Sequence, residues 1–154
     1  MSESRKIVFE NVKFGRVSID DSSVVTFPHG LPGFERFTKF GLVEVAEEEP
    51  FFRLLSLEDP RLGFVLVDPT LIWPDYDPVI TEEDLSGLAL TDPAHLAVYC
   101  IVTLSTVPEQ VTANLGGPIC LNTEKMLAKQ MILVDERYHT KHPLLPSADR
   151  EELK

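Results

Sequence analysis

One nine-residue segment constrains the fold more than any other part of the chain. From Leu96 to Leu104 every second residue is apolar, and the opposite face carries Ala97, Tyr99 and Ile101. This pattern predicts a β-strand that is buried on one face and half covered on the other. We expect the inward-facing, nearly fully buried residues of this strand and of the apolar run at 62–67 to be Val98, Cys100, Val102, Phe64 and Leu66.

Short strand-like stretches of this kind recur along the whole chain. Asp-Pro pairs occur four times, and Asp closes a turn while Pro ends strand pairing. Frequent turns between short strands predict a mostly β fold, a small antiparallel β-barrel-like single domain with one or two short helices. The other predicted strands lie at 14–19, 24–27, 40–45, 51–57, 62–67, 111–115, 118–121 and 130–134.

Two segments could supply the short helices. Thr81 to Asp84 begins like a capping box, with Thr81 as the N-cap and Asp84 in place of the usual Glu. Ser86 and Gly87 follow directly and should keep this helix short. The segment 123–129 is typical of either a second short helix or a hairpin loop.

The length of 154 residues favours one domain. We place it at 1–146, followed by a polar C-terminal tail at 147–154. No apolar run approaches the roughly 20 residues of a membrane span, and the N-terminus does not resemble a secretory signal. The expectation is a cytoplasmic protein without membrane contact, in which Cys100 and Cys120 stay reduced in the core.

The net charge of −11 is concentrated in one part of the chain, which we call the acidic segment, residues 44–92. Its only cationic side chains are Arg53 and Arg61, and the flanking regions are nearly neutral. This charge argues against direct nucleic-acid binding and favours a basic protein partner, although a solvated face is an equal alternative. Its thirteen acids are Glu44, Glu47, Glu48, Glu49, Glu58, Asp59, Asp68, Asp75, Asp77, Glu82, Glu83, Asp84 and Asp92.

No nucleophile elbow, dinucleotide-binding or phosphate-loop motif is present, and no set of residues suggests an enzyme or a cofactor. His139 and His142 near Asp135 formally allow a metal site. Without a third ligand at characteristic spacing, the better interpretation is that both histidines hydrogen-bond or dock on the barrel.

Trp73 and Tyr76 lie in a stretch interrupted by prolines and not in a periodic strand. Exposed aromatic side chains surrounded by acids would form a protein-binding hot spot. Alternatively, Trp73 closes one end of the barrel, and the sequence does not separate the two readings.

Three strings of residues, in order along the chain, carry a family resemblance. They are Phe-Pro-His-Gly-Leu-Pro-Gly-Phe at 27–34, Thr-Ala-Asn-Leu-Gly-Gly-Pro-Ile at 112–119, and Lys-Gln-Met-Ile-Leu at 129–133 leading to Tyr-His-Thr-Lys-His-Pro-Leu at 138–144. Over roughly residues 7–145 the chain resembles the flagellar assembly factor FliW family. Gly117 stands where the family often has a larger residue, which should flatten a contact surface.

The resemblance implies a cytoplasmic regulator that is not an enzyme and is expected to be a monomer. Such proteins bind flagellin in a chaperone-like manner and also bind CsrA, a translational repressor of flagellin mRNA, so that the two partners exchange. The resemblance, taken together with the acidic and aromatic side chains, suggests ten partner-binding candidates. They are Trp73, Tyr76, Glu82, Glu83, Asp84, Asn114, Asn122, Tyr138, Lys141 and His142. Asn114 and Asn122 could instead satisfy open backbone groups around a turn.

Two other classes of function remain possible from the residues. A small-ligand-binding β-barrel or enzyme would need polar side chains in the barrel interior, and a purely structural subunit would need a large exposed apolar patch. The apolar face of 96–104 favours a filled core over a ligand cavity.

Overall fold

The computed structural model describes residues 5–144, so the predicted tail at 147–154 lies outside the described residues. Seven strands close into a barrel, and a hairpin and two short strands are added to it. The strands are β1 (Lys6–Asn11), β2 (Gly15–Asp20), β3 (Val24–Thr26), β4 (Lys39–Glu44), β5 (Phe52–Ser56), β6 (Gly63–Val67), β7 (Leu96–Thr103), β8 (Thr112–Ala113), β9 (Ile119–Asn122), β10 (Leu127–Gln130) and β11 (His142–Pro143).

The barrel runs in the order β7-β6-β5-β4-β3-β10-β9 and returns from β9 to β7. All of these pairings are antiparallel except β3 with β10, which are parallel and meet at Thr26 and Leu127. The small, mostly β barrel predicted from the turn-rich sequence is therefore confirmed. β8 and β11 extend the wall beside β7, and β1 and β2 form a separate hairpin.

The hairpin of β1 and β2 packs on the outside of β4 through a glycine. Phe9, Ile19 and Leu55 form a small core there. A Cβ at Gly41 would lie 2.7 Å from Cδ1 of Ile19, so a larger residue would force the Ile19 side chain to move. β1 was missing from the predicted strands because Val8, 56% exposed, places an apolar residue on its outer face and breaks the alternation.

From Leu96 to Val102 both faces of β7 are at least half-buried. The face that lines the barrel interior, however, is the one opposite to the predicted face. Tyr99 and Ile101 face the barrel interior, whereas Val98, Cys100 and Val102 pack in clusters outside the wall. Phe64 and Leu66 do face the interior, although Phe64 and Val98 are only half-buried. Because both faces are largely apolar, alternation could not show which one faces inward. The buried interior residues are Val25, Phe27, Leu31, Phe40, Leu54, Leu66, Ile119, Leu121 and Ala128.

The helices within residues 5–144 are 3-10 helices of three residues, at 21–23, 46–48, 69–71, 93–95 and 108–110. Two of them begin at predicted Asp-Pro turns, where Asp68 and Asp92 accept backbone hydrogen bonds at 2.9 Å. No helix in this range has the length and hydrophobicity of a membrane span.

The two predicted helical segments are turns. Thr81 and Asp84 exchange the capping hydrogen bonds, but Gly87 with φ +88° ends the structure after a single turn. The segment 123–129 is the hairpin alternative, a turn that leads into β10.

The predicted strand at 130–134 is wrong in its bounds, since β10 ends at Gln130. Beyond it, the amides of Met131 and Leu133 donate to the carbonyls of Pro118 and Gly116 at 2.8 Å. Pro118 has no N–H to return a bond, and the Gly116 N–H donates to His139 instead. Pairing is therefore one-sided, and the chain stays extended without forming a regular ladder.

Candidate partner-binding surface

The candidate surface is built around the turn at 81–84. Its exchange of hydrogen bonds joins the Thr81 amide to Asp84 Oδ2 at 2.9 Å and the Asp84 amide to Thr81 Oγ1 at 3.1 Å. The bond from the Thr81 backbone lowers the pKa of Asp84 below its ordinary value, so this carboxylate is ionised at neutral pH. Glu82 and Glu83 are exposed on the same turn. The turn thus presents three adjacent negative charges.

The acidic segment keeps nearly all of its charge in the folded protein. Arg53 forms a bidentate salt bridge with Glu48, with N–O distances of 2.8 and 2.9 Å. Arg61 Nε lies 3.4 Å from Oδ1 of Asp59. Both arginines of the segment are therefore neutralised by its own acids. Within residues 5–144, the other eleven acids of the segment form no salt bridge, although Lys129 lies near enough to Asp84, and Arg137 to Asp77, for a weaker electrostatic interaction.

Four of the predicted candidates meet in one aromatic cluster, Trp73, Tyr76, Tyr138 and His142. The rings of Tyr76 and Tyr138 are 4.6 Å apart, edge to face, and His142 lies 6.3 Å from Trp73 and 6.4 Å from Tyr138. Trp73 and Tyr76 come from the segment 73–76, whereas Tyr138 lies shortly before β11 and His142 is its first residue. The fold places the two segments side by side. Both pairs of residues were predicted as candidates, but their contact was not.

Tyr76 is buried, at 7% exposure, so it is not itself a surface contact. Its hydroxyl donates to the Leu115 carbonyl at 2.7 Å, and burial raises the pKa of this phenol. The neighbouring Tyr138 hydroxyl accepts from the Asp77 amide at 2.9 Å. Trp73 is half-buried against the cluster that includes Cys100. Trp73 and Tyr76 therefore pack in a cluster on the outside of the barrel wall, which is neither the freely exposed hot spot nor the closure of a barrel end that the sequence offered.

His139 and His142 hydrogen-bond to each other, which is one of the two roles that the sequence favoured over a metal site. Their rings stack at 5.2 Å, and the His139 amide donates to Nε2 of His142 at 2.7 Å. Burial, followed by the proximity of His139, lowers the pKa of His142 below 6.5. Among residues 5–144, no cluster of three or more His, Cys, Asp or Glu side chains is arranged to hold a metal ion.

Mild acid should destabilise the fold through His142. Because its folded-state pKa lies below the unfolded value of 6.5, its stabilising contribution is present above pH 6.5 and is lost as the pH falls toward the folded-state pKa. Replacing His142 by Gln keeps an acceptor for the His139 amide and removes the titration. Urea unfolding at about pH 7.5 and about pH 5 should show a smaller acid-dependent loss for His142→Gln than for wild type. Equal losses would contradict this assignment.

Asn122 and Asn114 have different environments. Asn122 is buried, donates to the Leu88 carbonyl at 2.8 Å and accepts from the amides of Glu124 and Lys125. It satisfies backbone groups, as the alternative reading proposed, and is not exposed to a partner. Asn114 is half-buried, and its Oδ1 is buried without a hydrogen-bond partner.

Gly117 is buried, so it does not flatten a contact surface. A Cβ there would lie 2.7 Å from Nδ2 of Asn114 and 2.9 Å from Nε2 of Gln130. A larger residue would have to displace both amides. Lys141, by contrast, is exposed and available to a partner.

Cys100 and Cys120 are both fully buried and free. Burial raises the pKa of Cys100 to about 12 and that of Cys120 to about 11, which makes both thiols inert at neutral pH. The prediction that both are core residues is confirmed.

Replacing Cys100 by Ser should destabilise the protein by about 1–3 kcal/mol, because a more polar hydroxyl would replace a thiol in a buried cluster whose only other side-chain polar group among its buried residues is the Tyr76 hydroxyl. Partner binding should remain normal at temperatures where the variant is folded. Chemical unfolding measures the first effect, and a thiol reagent should label wild-type Cys100 only on unfolding. Rapid labelling in the native state would contradict its placement.

An apolar groove beside the acidic turn was not found from the sequence. Its walls include Val79, Ile132 and Val134, which are 68%, 79% and 101% exposed. Because all four residues from Met131 to Val134 are apolar, their alternation carries no information on which side faces out. The extended backbone buries Met131 and exposes the next residue.

Comparison with known proteins supports a single family. The sequence matches the family model described as "FliW protein" over residues 8–144. It is 42% identical over 139 residues to the flagellar assembly factor FliW of Thermotoga petrophila, covering 90% of this chain and 93% of the relative. The corresponding protein of Geobacter sulfurreducens is 37% identical over 138 residues, covering 90% and 86%.

The fold agrees with the sequence comparison. A crystal structure of the flagellar assembly factor FliW superimposes with a TM-score of 0.81 at 36% identity, covering 93% of this chain and 99% of the other. The resemblance carried by the strings at 27–34, 112–119 and 129–144 is thereby confirmed. The chain belongs to the FliW family of flagellar assembly factors.

Proposed function

We propose that this flagellar assembly factor is a cytoplasmic monomer that binds flagellin and CsrA alternately. When flagellin is abundant it occupies the protein in a chaperone-like manner, and CsrA is free to repress translation of flagellin mRNA. As flagellin is exported, the released protein captures CsrA and relieves the repression. This function needs protein partners and no cofactor or catalytic step.

The observation that carries the proposal is the unneutralised charge of the acidic segment. Eleven of its thirteen acids form no salt bridge within residues 5–144, and Glu82 and Glu83 are exposed at its turn. An RNA-binding protein such as CsrA must present a basic surface to phosphates. Concentrated negative charge is the complement of such a surface and would steer the two proteins together.

The same charge suggests how RNA is displaced. A protein that docks beside a basic RNA-binding surface brings its own carboxylates close to the RNA phosphates. Two like charges about 10 Å apart in water repel by about 0.4 kcal/mol before screening, and many such pairs add up. Bound RNA can therefore be weakened without a protein segment filling the RNA-binding groove.

The barrel interior favours this function over the small-ligand alternative. Its residual cavity is about 10 Å³ and is lined by apolar residues and Tyr99. That volume is close to the minimum for one water molecule. A carrier or enzyme would need a cavity of several hundred Å³ with convergent polar groups.

Binding to purified partners tests the proposal. Isothermal titration calorimetry should give saturable binding of this protein to flagellin and, separately, to CsrA. Prior saturation with flagellin should reduce the binding of CsrA. If the protein fails to bind either partner at micromolar concentrations, or binds both without mutual effect, the partner exchange is contradicted.

A further inference from the structure

The groove beside the acidic turn lies between two segments of the chain. One wall is formed by Val79, Thr81 and Asp84, and the other by residues 132–137. Val79, Ile132 and Val134 leave most of their apolar surface in water. A cluster of large exposed apolar side chains with a polar rim is typical of a protein-interaction site.

The backbone at 131–134 adds a second feature to the groove. The amides of Met131 and Leu133 point toward the barrel and are bonded to the carbonyls of Pro118 and Gly116. In an extended chain, successive N–H groups point to opposite sides. The amides of Ile132 and Val134 accordingly face away from that pairing, and neither donates a hydrogen bond within residues 5–144.

An extended segment with one bonded edge and one open edge can accept another strand. Strand addition supplies main-chain hydrogen bonds for affinity, and alternate side chains contact the pockets beside the edge. Here the exposed side chains of Ile132 and Val134 would contact every second side chain of an added segment.

The charged residues at the rim of the groove indicate which kind of peptide segment would bind there. Arg137 is already paired with Asp135 at 2.7 Å. Asp84 and Glu136 line the groove and form no salt bridge within residues 5–144, with Lys129 acting on Asp84 only at longer range, and Glu82 and Glu83 extend the negative charge along the turn. A second copy of this chain would bring the same acids together at its own groove, which like-charge repulsion disfavours.

We propose that this groove binds an extended segment of a partner protein, with apolar side chains alternating with Lys or Arg, as a strand added along Ile132–Val134. The apolar residues of the segment contact Val79, Ile132 and Val134, while its cations face Asp84 and Glu136. This inference goes beyond the proposed function, because it rests on the groove alone and holds for any partner that carries such a segment.

A synthetic probe tests the groove without knowledge of the partner. The probe is an acetylated, amidated hexapeptide that alternates valine and lysine, titrated into the ¹⁵N-labelled full chain. We expect saturable amide shifts confined to 79–84 and 132–137, and slower hydrogen exchange at Ile132 and Val134. Methylating the peptide nitrogens on its pairing edge should abolish binding.

Replacing both Ile132 and Val134 by Asp separates docking from simple charge attraction. The double variant removes apolar contact but adds two negative charges, so non-specific attraction of the cationic probe would increase. We expect binding to fall at least tenfold instead. Val8→Asp with Val12→Asp is the matched control, since both valines are exposed, at 56% and 72%, on the distant β1–β2 hairpin.

Other results would overturn the inference. Undiminished binding to the Ile132→Asp, Val134→Asp variant, or shifts centred elsewhere, would exclude the groove. Binding that survives methylation of the peptide nitrogens would exclude strand addition. Concentration-dependent self-association in sedimentation, lost in the same double variant, would assign the surface to a second copy instead of a cationic partner segment.

Discussion

Replacing Glu82, Glu83 and Asp84 by Lys should reduce the proposed release of RNA from CsrA by about tenfold at low salt. The change alters the local charge by six units. After screening it is worth about 1–2 kcal/mol for a phosphate about 10 Å away, and 1.4 kcal/mol is a factor of ten. The loss should be smaller at high salt, and RNA release followed by fluorescence anisotropy measures both.

A matched variant distinguishes local charge from total charge. Asp21, Glu109 and Glu124 are exposed acids outside the acidic segment, and their replacement by Lys gives the same change in net charge. We expect this variant to release RNA nearly as well as wild type. The Glu82→Lys, Glu83→Lys double variant keeps the Thr81–Asp84 exchange and should show an intermediate loss.

Circular dichroism should show the native fold for all three variants, because the turn is on the surface. Flagellin binding serves as an internal comparison. Retention of flagellin binding would indicate two separable surfaces, and its parallel loss with an intact fold would indicate one shared surface. A folded triple variant that releases RNA as well as wild type would contradict the electrostatic role of this turn.

Replacing Asn122 by Ala should have the largest effect on stability of the changes considered for the candidate residues. The side-chain amide of Asn122 forms hydrogen bonds with three backbone groups. One of them, the Leu88 carbonyl, would lose its buried donor. The buried Leu88 carbonyl left unpaired costs about 1–3 kcal/mol, and the lost bonds to the amides of the exposed residues Glu124 and Lys125 add about 0.5 kcal/mol each, so we expect a loss of about 2–4 kcal/mol. For a domain of this size, that corresponds to a decrease in Tm of roughly 6–12 °C.

Asn114→Ala provides the control for this prediction. Its Oδ1 has no hydrogen-bond partner, so removing the side chain should cost no more than about 1 kcal/mol. Differential scanning calorimetry of the two variants gives the comparison. If Asn122→Ala keeps the wild-type Tm but loses partner binding, the residue has a contact role and not the structural one assigned here.

The sequence predicted the barrel because strand length and turn chemistry are local properties. Asp68 and Asp92 form the turns that their Asp-Pro pairs predicted. The face of β7 that lines the barrel was not predictable, because Cys100 and Tyr99 lie on opposite faces that are both covered. Which face lines the interior depends on the distant segments around Tyr76 and Leu115, which cover the outside of the wall.

Only the charged part of the candidate surface could be predicted from the sequence. The acidic turn follows directly from Glu82, Glu83 and Asp84. The burial of Tyr76 depends on contacts with Tyr138 and Leu115, far along the chain. The exposure of Ile132 and Val134 depends on which distant segments cover that face of the chain, and an unbroken apolar run gives no sign of it.

The most direct test of the central claim is to measure flagellin mRNA bound to CsrA in the presence of this protein. Anisotropy of the labelled RNA should fall as the protein is added, should fall less at high salt, and should recover when flagellin is added in excess. RNA that stays bound to CsrA at saturating concentrations of the protein would contradict the account, and so would release that flagellin does not reverse.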